Sequence, residues 1–285
     1  MDNKKRTIIQ LAASVLQNAN IKGFFTGKIY TGPGKNICVP GLNCYSCPGA
    51  LGACPLGSLQ SAVSAWKFRF PCYVLGLMMF FGAVFGRLIC GFLCPFGFLQ
   101  DLLFRVPFPK KLRTFRGDRQ LRNVKYLVLV FMVLLLPFLH KITPFFCKYV
   151  CPSGTLSGML LSAADSRLRE LLGALFTWKA FVLLAVVVTS LMICRPFCKY
   201  VCPLGAFYAL FNRVSVVRLA VDSGKCIGCG ACAKVCDMAV DPSVTPDHTE
   251  CIRCGKCVSG CPHGAIRFAN TLAAGKAGKM TRCDK

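Results

Sequence analysis

The sequence is poor in acidic residues and in histidine. It contains 11 Asp and Glu against 35 Lys and Arg, and its three histidines are His140, His248 and His263. A b-type haem held by two facing imidazoles is not expected, and no C-x-x-C-H motif is present to attach a c-type haem. No G-x-G-x-x-G or P-loop pattern precedes a helix in a βαβ setting. The sequence therefore predicts neither a haem nor a nucleotide site.

The excess of basic residues gives a formal net charge of +24 in a chain that is 54% hydrophobic, with a mean hydropathy of +0.53. A nucleic-acid-binding protein would also be basic. Here, however, Lys and Arg cluster between long apolar segments, a pattern typical of membrane proteins with basic cytoplasmic loops. We therefore expect membrane lipid, and no nucleic acid, as a partner.

Four segments are candidates to enter a bilayer, which requires about 20 mostly apolar residues. They comprise residues 7–25, 71–92, 126–146 and 178–194. The loop 105–125 carries eight Lys and Arg against one Asp and is expected on the cytoplasmic side. The alternative is a soluble protein with buried core helices. The sequence favours a mainly α, multi-pass protein of the cell membrane with about four membrane helices.

The strongest motif is a pair of cysteine runs, "CIGCGACAKVC" at 226–236 and "CIRCGKCVSGCP" at 251–262. Each has the C-x2-C-x2-C-x3-C spacing of bacterial two-cluster ferredoxins, in which the fourth cysteine of each run binds the other cluster. Zinc binding by C-x2-C pairs is the alternative. One [4Fe-4S] cluster is expected on Cys226, Cys229, Cys232 and Cys261. The other is expected on Cys251, Cys254, Cys257 and Cys236.

Outside the ferredoxin runs, a Cys-Pro-x-Gly phrase occurs four times, at 54–57, 94–97, 151–154 and 202–205, each time after a predicted membrane segment. Proline suits the first turn of a helix, so each cysteine should sit beside a helix N-terminus, which favours an anionic cluster. Because successive segments alternate in direction, the four phrases should fall on alternate faces. The repetition indicates two pseudo-repeated halves.

The inner group comprises Cys90, Cys94, Cys198 and Cys202, and we expect it to bind one [4Fe-4S] cluster. The outer group comprises Cys47, Cys54, Cys147 and Cys151, with Cys38 and Cys44 as alternative ligands. Structural or redox thiols are the alternative inside, and disulfides are the alternative outside. Cys72, Cys194 and Cys283 are interpreted as non-ligands, although Cys194 could substitute for Cys198.

Four regions follow from this pattern. Residues 1–65 hold an N-terminal helix and the outer cysteine-rich segment, and residues 66–215 form the membrane domain. Residues 216–269 form a two-cluster α+β ferredoxin domain on the cytoplasmic side, and residues 270–285 form a flexible tail.

The phrases "GRLICGFLCPFGFLQDLLFR" and "CKYVCPLGAF", together with the twin ferredoxin runs, resemble the NapH/NosR-type polytopic membrane ferredoxins. The resemblance covers roughly residues 66–268. It implies a role in electron supply to reductases outside the cytoplasm, with Cys90, Cys94, Cys198 and Cys202 at the C-x3-C-P positions of the family. The additional elements "NCYSCPGALGACPLG" and "CKYVCPSG" depart from that pattern and favour a second redox centre.

The leading hypothesis is a transmembrane electron-transfer subunit of an oxidoreductase system. A reduced ferredoxin, a flavodoxin or a quinol would be the donor, and an extracytoplasmic flavoprotein or metalloreductase would be the acceptor. One alternative is a quinol dehydrogenase coupled to the ferredoxin domain. The other is a cluster-binding assembly or regulatory factor.

Overall fold

The computed structural model describes residues 3–64, 72–140, 143–164 and 173–271. Within these ranges the chain is mostly helical, with one small sheet near its C-terminal end. The helices of the first half are α1 (Asn3–Gln17), α2 (Ile21–Thr26), α3 (Pro55–Ser64), α4 (Cys72–Phe85), α5 (Leu88–Phe92) and α6 (Pro95–Arg105). Those that follow are α7 (Asp118–His140), α8 (Phe145–Tyr149), α9 (Pro152–Ala164), α10 (Ala174–Met192), α11 (Pro196–Tyr200) and α12 (Pro203–Phe211).

Two helices, α7 and α10, are long and apolar enough to cross a membrane. Their apolar windows have mean hydropathies of 1.9 and 2.0, yet only 22% and 11% of those windows is buried inside the protein. The core helix of a soluble protein would be largely buried, so these exposed apolar surfaces suit a lipid environment. Helix α7 contains a π-helical stretch at Leu129–Leu135.

The other two predicted membrane segments are broken in the structure. Residues 7–25 form parts of α1 and α2, which are separated at the polar sequence 18–20. The described part of the segment 71–92 forms α4 and α5, which are separated at Gly86, whose φ of 54° ends the first helix. Of the four expected spans, two therefore satisfy the length and composition of a membrane helix in the described part of the chain.

The Cys-Pro phrases start helices, as the sequence predicts. Proline is the first residue of α3, α6, α9 and α12. Cys94 and Cys202 are the N-caps of α6 and α12, and each Sγ accepts a hydrogen bond of 3.4 Å from the backbone N–H of the glycine three residues later. These thiols therefore occupy the position that serine or aspartate takes in an ordinary helix cap.

The C-terminal module is built on the antiparallel strands β1 (Val217–Val221) and β2 (Ile266–Asn270). Two short helices, α13 (Ala231–Lys234) and α14 (Lys256–Ser259), follow the cysteine loops. Residues 272–285, which include most of the predicted tail and Cys283, lie outside the described residues.

A buried ion cluster joins this module to the helices. Glu250 accepts from Arg87 Nη1 at 2.8 Å and also pairs with Lys125, and both basic side chains are completely buried. We call these three residues the docking cluster. Burial opposes ionisation of Glu250, but Arg87 and Lys125 outweigh it and hold the pKa of Glu250 below its usual value. The module is thus fixed to the helical part through desolvated charges.

Candidate cluster-binding sites

The inner cavity lies between α5, α6, α11 and α12. Its thiols come from two distant parts of the sequence, and all are buried: Cys90, Cys94, Cys198 and Cys202. This is the predicted inner group. Cys194 is also buried but does not line the cavity, so the structure gives no support to its substitution for Cys198.

Buried arginines hold the backbone around the inner cavity. Arg195 donates to Asp101 through Nε at 2.7 Å and Nη2 at 2.6 Å, and its Nη1 donates to the carbonyl oxygen of Cys90. Burial alone raises the pKa of Asp101, but Arg195 and Arg6 outweigh it and bring that pKa down to about 2. Arg87 donates to the carbonyl of Cys198 at 3.3 Å. These cations lie where they also offset the negative charge of an anionic cluster.

The outer cavity is a larger space between α3, α8, α9 and the segment before α3. The thiols in its wall are Cys44, Cys54, Cys147 and Cys151. Three of them belong to the predicted outer group. The fourth thiol in the wall is Cys44, which the sequence offered as an alternative ligand, whereas Cys47 does not line the cavity.

The backbone of the segment 38–54 explains this exchange. A tight turn is closed by a 3.0 Å hydrogen bond from the N–H of Cys47 to the carbonyl of Cys44, and Cys47 is buried outside the cavity wall. Cys38 forms an isolated bridge with Ala53, and its Sγ lies 3.5 Å from Ser58 Oγ. Neither Cys38 nor Cys47 lines the outer cavity.

The first ferredoxin site is a pocket lined by one complete predicted set, Cys226, Cys229, Cys232 and Cys261. Backbone glycines with positive φ shape its loop, at Gly228 (70°) and Gly230 (68°). The N–H of Ala265 donates to Cys261 Sγ at 3.4 Å. Cys229 is exposed, so this site reaches the protein surface.

The second ferredoxin site gathers the other predicted set, Cys251, Cys254, Cys257 and Cys236. Burial, with smaller contributions from the nearby Cys254 and Cys236, raises the pKa of Cys251 to about 12. Burial also raises the pKa of Cys257, with contributions from the other three thiols and from Cys232 of the first set. Groups that influence one another in this way lie close together. Cys236, from the first run, therefore lies near the leading cysteines of the second run, and its place in this set remains the prediction of the ferredoxin spacing.

The donor sets fit a cubane cluster better than a single ion. In the described part of the chain, no three His, Cys, Asp or Glu side chains converge closely enough to hold one metal ion. A tetrahedral zinc site would need sulfurs about 2.3 Å from a common centre. A cubane instead binds each thiolate at a different corner iron, so its ligands surround a cage. Four thiols around a small cavity, with N–H donors aimed at sulfur, match the cubane arrangement.

The sites adjoin one another. Leu42 lines both the inner and the outer cavity, so the two cavities share a wall. The rings of Phe146 and Phe197, each preceding a cavity cysteine, have centroids 6.4 Å apart. The inner cavity also lies close to the ferredoxin module. A Cβ built on Gly91, next to Cys90, would overlap the carbonyl oxygen of Ile252, next to Cys251 of the second ferredoxin site.

The sequence reasoning missed several residues that shape these sites. Gln60 and Gln100 each donate to a cavity thiol, and Asp101, Arg195 and Glu250 form the buried ion pairs. A signal for the glutamines was present, because "CPLGSLQ" at 54–60 and "CPFGFLQ" at 94–100 share glutamine at the seventh position. The ion pairs join residues more than 90 positions apart, so no local pattern revealed them.

Comparisons with known proteins agree with this geometry. Residues 73–116, 124–169 and 175–221 match one family described as a 4Fe-4S binding domain, and residues 219–239 and 244–267 match a second family of the same description. The first family covers three of the four Cys-Pro helices, α6, α9 and α12, and the second covers both ferredoxin runs. The chain therefore binds [4Fe-4S] clusters. No solved structure matches the chain.

Relatives of the same kind occur in archaea and bacteria. The chain is 30% identical over 192 residues to the uncharacterized protein MJ0750 of Methanocaldococcus jannaschii, covering 65% of this chain and 73% of that protein. It is 30% identical to the methylamine utilization ferredoxin-type protein MauN of Paracoccus denitrificans (62% of this chain, 58% of MauN). It is 25% identical to the ferredoxin-type protein NapH of Haemophilus influenzae (57% of this chain, 52% of NapH). The match thus spans little more than half of MauN and NapH. On its cysteine motifs, its family matches and these relatives, the chain belongs to the NapH/NosR-type ferredoxin family.

Proposed function

We propose that this iron–sulfur electron-transfer protein carries electrons across a membrane, from a cytoplasmic donor to an extracytoplasmic reductase or flavoprotein. The observation that carries the proposal is the shared wall between two four-thiol cavities inside the helical part. A ferredoxin that only exchanges electrons in the cytoplasm needs no second thiol cavity on the far side of the first. Two adjoining cavities instead extend the line of sites away from the ferredoxin module.

The exposure of the sites and the contacts between them indicate the order in which electrons would pass. The first ferredoxin site is at the surface, where Cys229 is exposed and Ile227 is 68% exposed, so a soluble donor can approach it. The second ferredoxin site packs against the helices through Ile252 and Cys254. The inner cavity follows beyond Gly91, and the outer cavity follows beyond Leu42. Electrons entering at the surface of the module thus have one sequence of neighbouring sites to follow.

The two long helices support the proposal that this series of sites runs across the membrane. The inner end of α7 carries Lys125, which binds Glu250 of the ferredoxin module, and its other end leads into α8 at the outer cavity. Helix α10 begins near the outer cavity, where Lys179 Nζ donates to the carbonyl of Cys147 at 3.3 Å, and it ends next to Arg195 at the inner cavity. The direction of these helices supports the proposal that the ferredoxin module and the outer cavity face opposite sides of a bilayer.

The chain's own residues hold the sites in place. When bound, [4Fe-4S] clusters supply one-electron redox chemistry at potentials set by their surroundings. Cys44, Cys54, Cys147 and Cys151 would bind the outer cluster, and Cys90, Cys94, Cys198 and Cys202 the inner one. The buried arginines fix the segments that carry the inner thiols, and the apolar wall of the inner cavity excludes water from it.

Proteoliposomes test the proposal directly. The holoprotein is reconstituted into vesicles that contain ferricyanide, and titanium(III) citrate is added outside as a reductant. We expect the protein to bleach the trapped ferricyanide, and we expect Cys90→Ser to abolish this transfer. Cys72→Ser serves as the matched control because Cys72 is exposed and lines neither thiol cavity. No transfer above empty vesicles would refute the proposal, and oxidation of an added quinol analogue would instead favour the quinol dehydrogenase alternative.

A further inference from the structure

The inner and outer cavities each contain one buried glutamine in the same arrangement. In the inner cavity, Gln100 Nε2 donates to Cys198 Sγ at 3.1 Å, and its Oε1 accepts from the N–H of Phe197 at 3.2 Å. In the outer cavity, Gln60 Nε2 donates to Cys147 Sγ at 3.3 Å, and its Oε1 accepts from the N–H of Phe146 at 3.1 Å. The same four-atom pattern therefore occurs twice.

The orientation of each side-chain amide is fixed by chemistry. The backbone N–H of Phe197 can only donate, so the oxygen of Gln100 must face it and the NH2 group must face the sulfur. The second N–H of that group lies 3.4 Å from the carbonyl of Phe96, one turn earlier, and Gln60 makes the equivalent contact with Leu56. Gln60 is 0% exposed and Gln100 is 1% exposed, so neither amide can turn towards water instead.

Each glutamine connects two parts of the sequence that must meet to form its cavity. Gln100 lies on α6, six residues after the ligand candidate Cys94, but it contacts the thiol contributed by α11. Gln60 lies on α3, six residues after Cys54, and it contacts the thiol contributed by α8. The glutamine therefore positions a thiol from the opposite helix pair while its own helix start supplies another.

We propose that Gln60 and Gln100 are positioning residues that raise the reduction potential of the outer and inner cluster sites, each by donating a hydrogen bond to one ligand sulfur. This inference rests on the proposed function, because it requires both cavities to hold clusters. Reduction adds negative charge to a cluster and its thiolates, so a donor at sulfur stabilises the reduced form more than the oxidised form. Hydrogen bonds to the sulfurs are among the factors that set cluster potentials.

The test is a reductive titration of the detergent-purified holoprotein, followed by EPR, for wild type, Gln60→Leu and Gln100→Leu. We expect Gln100→Leu to decrease the equilibrium constant for reduction of the inner cluster about tenfold, which is about 59 mV for one electron, and to leave the outer cluster unchanged. Gln60→Leu should do the reverse. Each variant is thus the matched control for the other.

Glutamate variants keep the experiment decisive if a leucine variant loses its cluster. Gln100→Glu and Gln60→Glu retain an oxygen to accept from the backbone N–H but place an acceptor against the sulfur. They should also lower the potential of their own site alone. Unchanged potentials with full iron content would overturn this inference and leave the proposed function intact. Loss of a site's irons from both variants would also overturn it, because the glutamine would then only hold the site together. Wild-type protein without the two additional EPR signals would overturn the proposed function itself.

Discussion

Removing the carboxylate of the docking cluster should destabilise the attachment of the ferredoxin module strongly. The change is Glu250→Ala, which leaves Arg87 and Lys125 buried with no carboxylate between them. Both basic side chains are 0% exposed, so water cannot replace the lost partner. Removing one partner of a buried ion pair costs about 3–5 kcal/mol. For a chain of this size, about 3 kcal/mol corresponds to a decrease of about 6–12 °C in Tm.

The assay is the apparent Tm of the detergent-purified holoprotein at one fixed scan rate, since unfolding of a cluster protein is expected to be irreversible. The matched control is Asp247→Ala, three residues earlier in the same loop. Asp247 pairs with Arg218 at 3.8 Å, and the two side chains are 29% and 21% exposed. A long, partly exposed pair contributes less than a buried one, about 0–1 kcal/mol if it behaves as solvent-exposed pairs do. If Glu250→Ala lowered the apparent Tm no more than Asp247→Ala does, the docking cluster would not hold the module in place.

Two further substitutions test the geometry of the sites. Cys44→Ser should remove about four irons per chain, because Cys44 lines the outer cavity. Cys47→Ser should retain these irons, because Cys47 does not line that cavity. Equal iron loss in both variants would contradict the proposed ligand set. Gly91→Ala should lower the free energy of unfolding by about 1–3 kcal/mol, because the added Cβ overlaps the carbonyl oxygen of Ile252. Gly76→Ala is the control and should not destabilise the protein, because its added Cβ meets no atom within 4 Å. The apparent Tm of the two alanine variants measures this, and equal values would show that Gly91 does not pack against the module.

Local patterns were sufficient for the helix starts, and most of the cysteines that they singled out line cavities of the structure. Proline after cysteine predicted the starts of α6 and α12, because proline is favoured at the first helical position. The identical spacing of the two ferredoxin runs predicts an exchange of Cys236 and Cys261 between the sites. Cys261 does line the pocket of the first run, and the ligand role of Cys236 stays a prediction. In such motifs, the short gaps between cysteines in the sequence keep their sulfur atoms close together in the folded chain.

Other features depend on contacts between distant residues. Whether Cys44 or Cys47 lines the outer cavity depends on a turn between them, which a hydrogen bond closes. The surrounding sequence is rich in cysteine and glycine, so its composition does not predict where this turn falls. Apolar length alone predicted a membrane span over residues 71–92, but the positive φ at Gly86 breaks that segment. The pairing of Glu250 with Arg87 joins residues 163 positions apart, and only the folded chain shows it.

The central claim is that the helical part, and not only the ferredoxin module, binds clusters. The most direct measurement is the iron and acid-labile sulfide content of the purified holoprotein, with EPR of the reduced protein. We expect about sixteen irons per chain, corresponding to about four [4Fe-4S] clusters. A content of about eight irons, with signals from the ferredoxin module alone, would contradict the account.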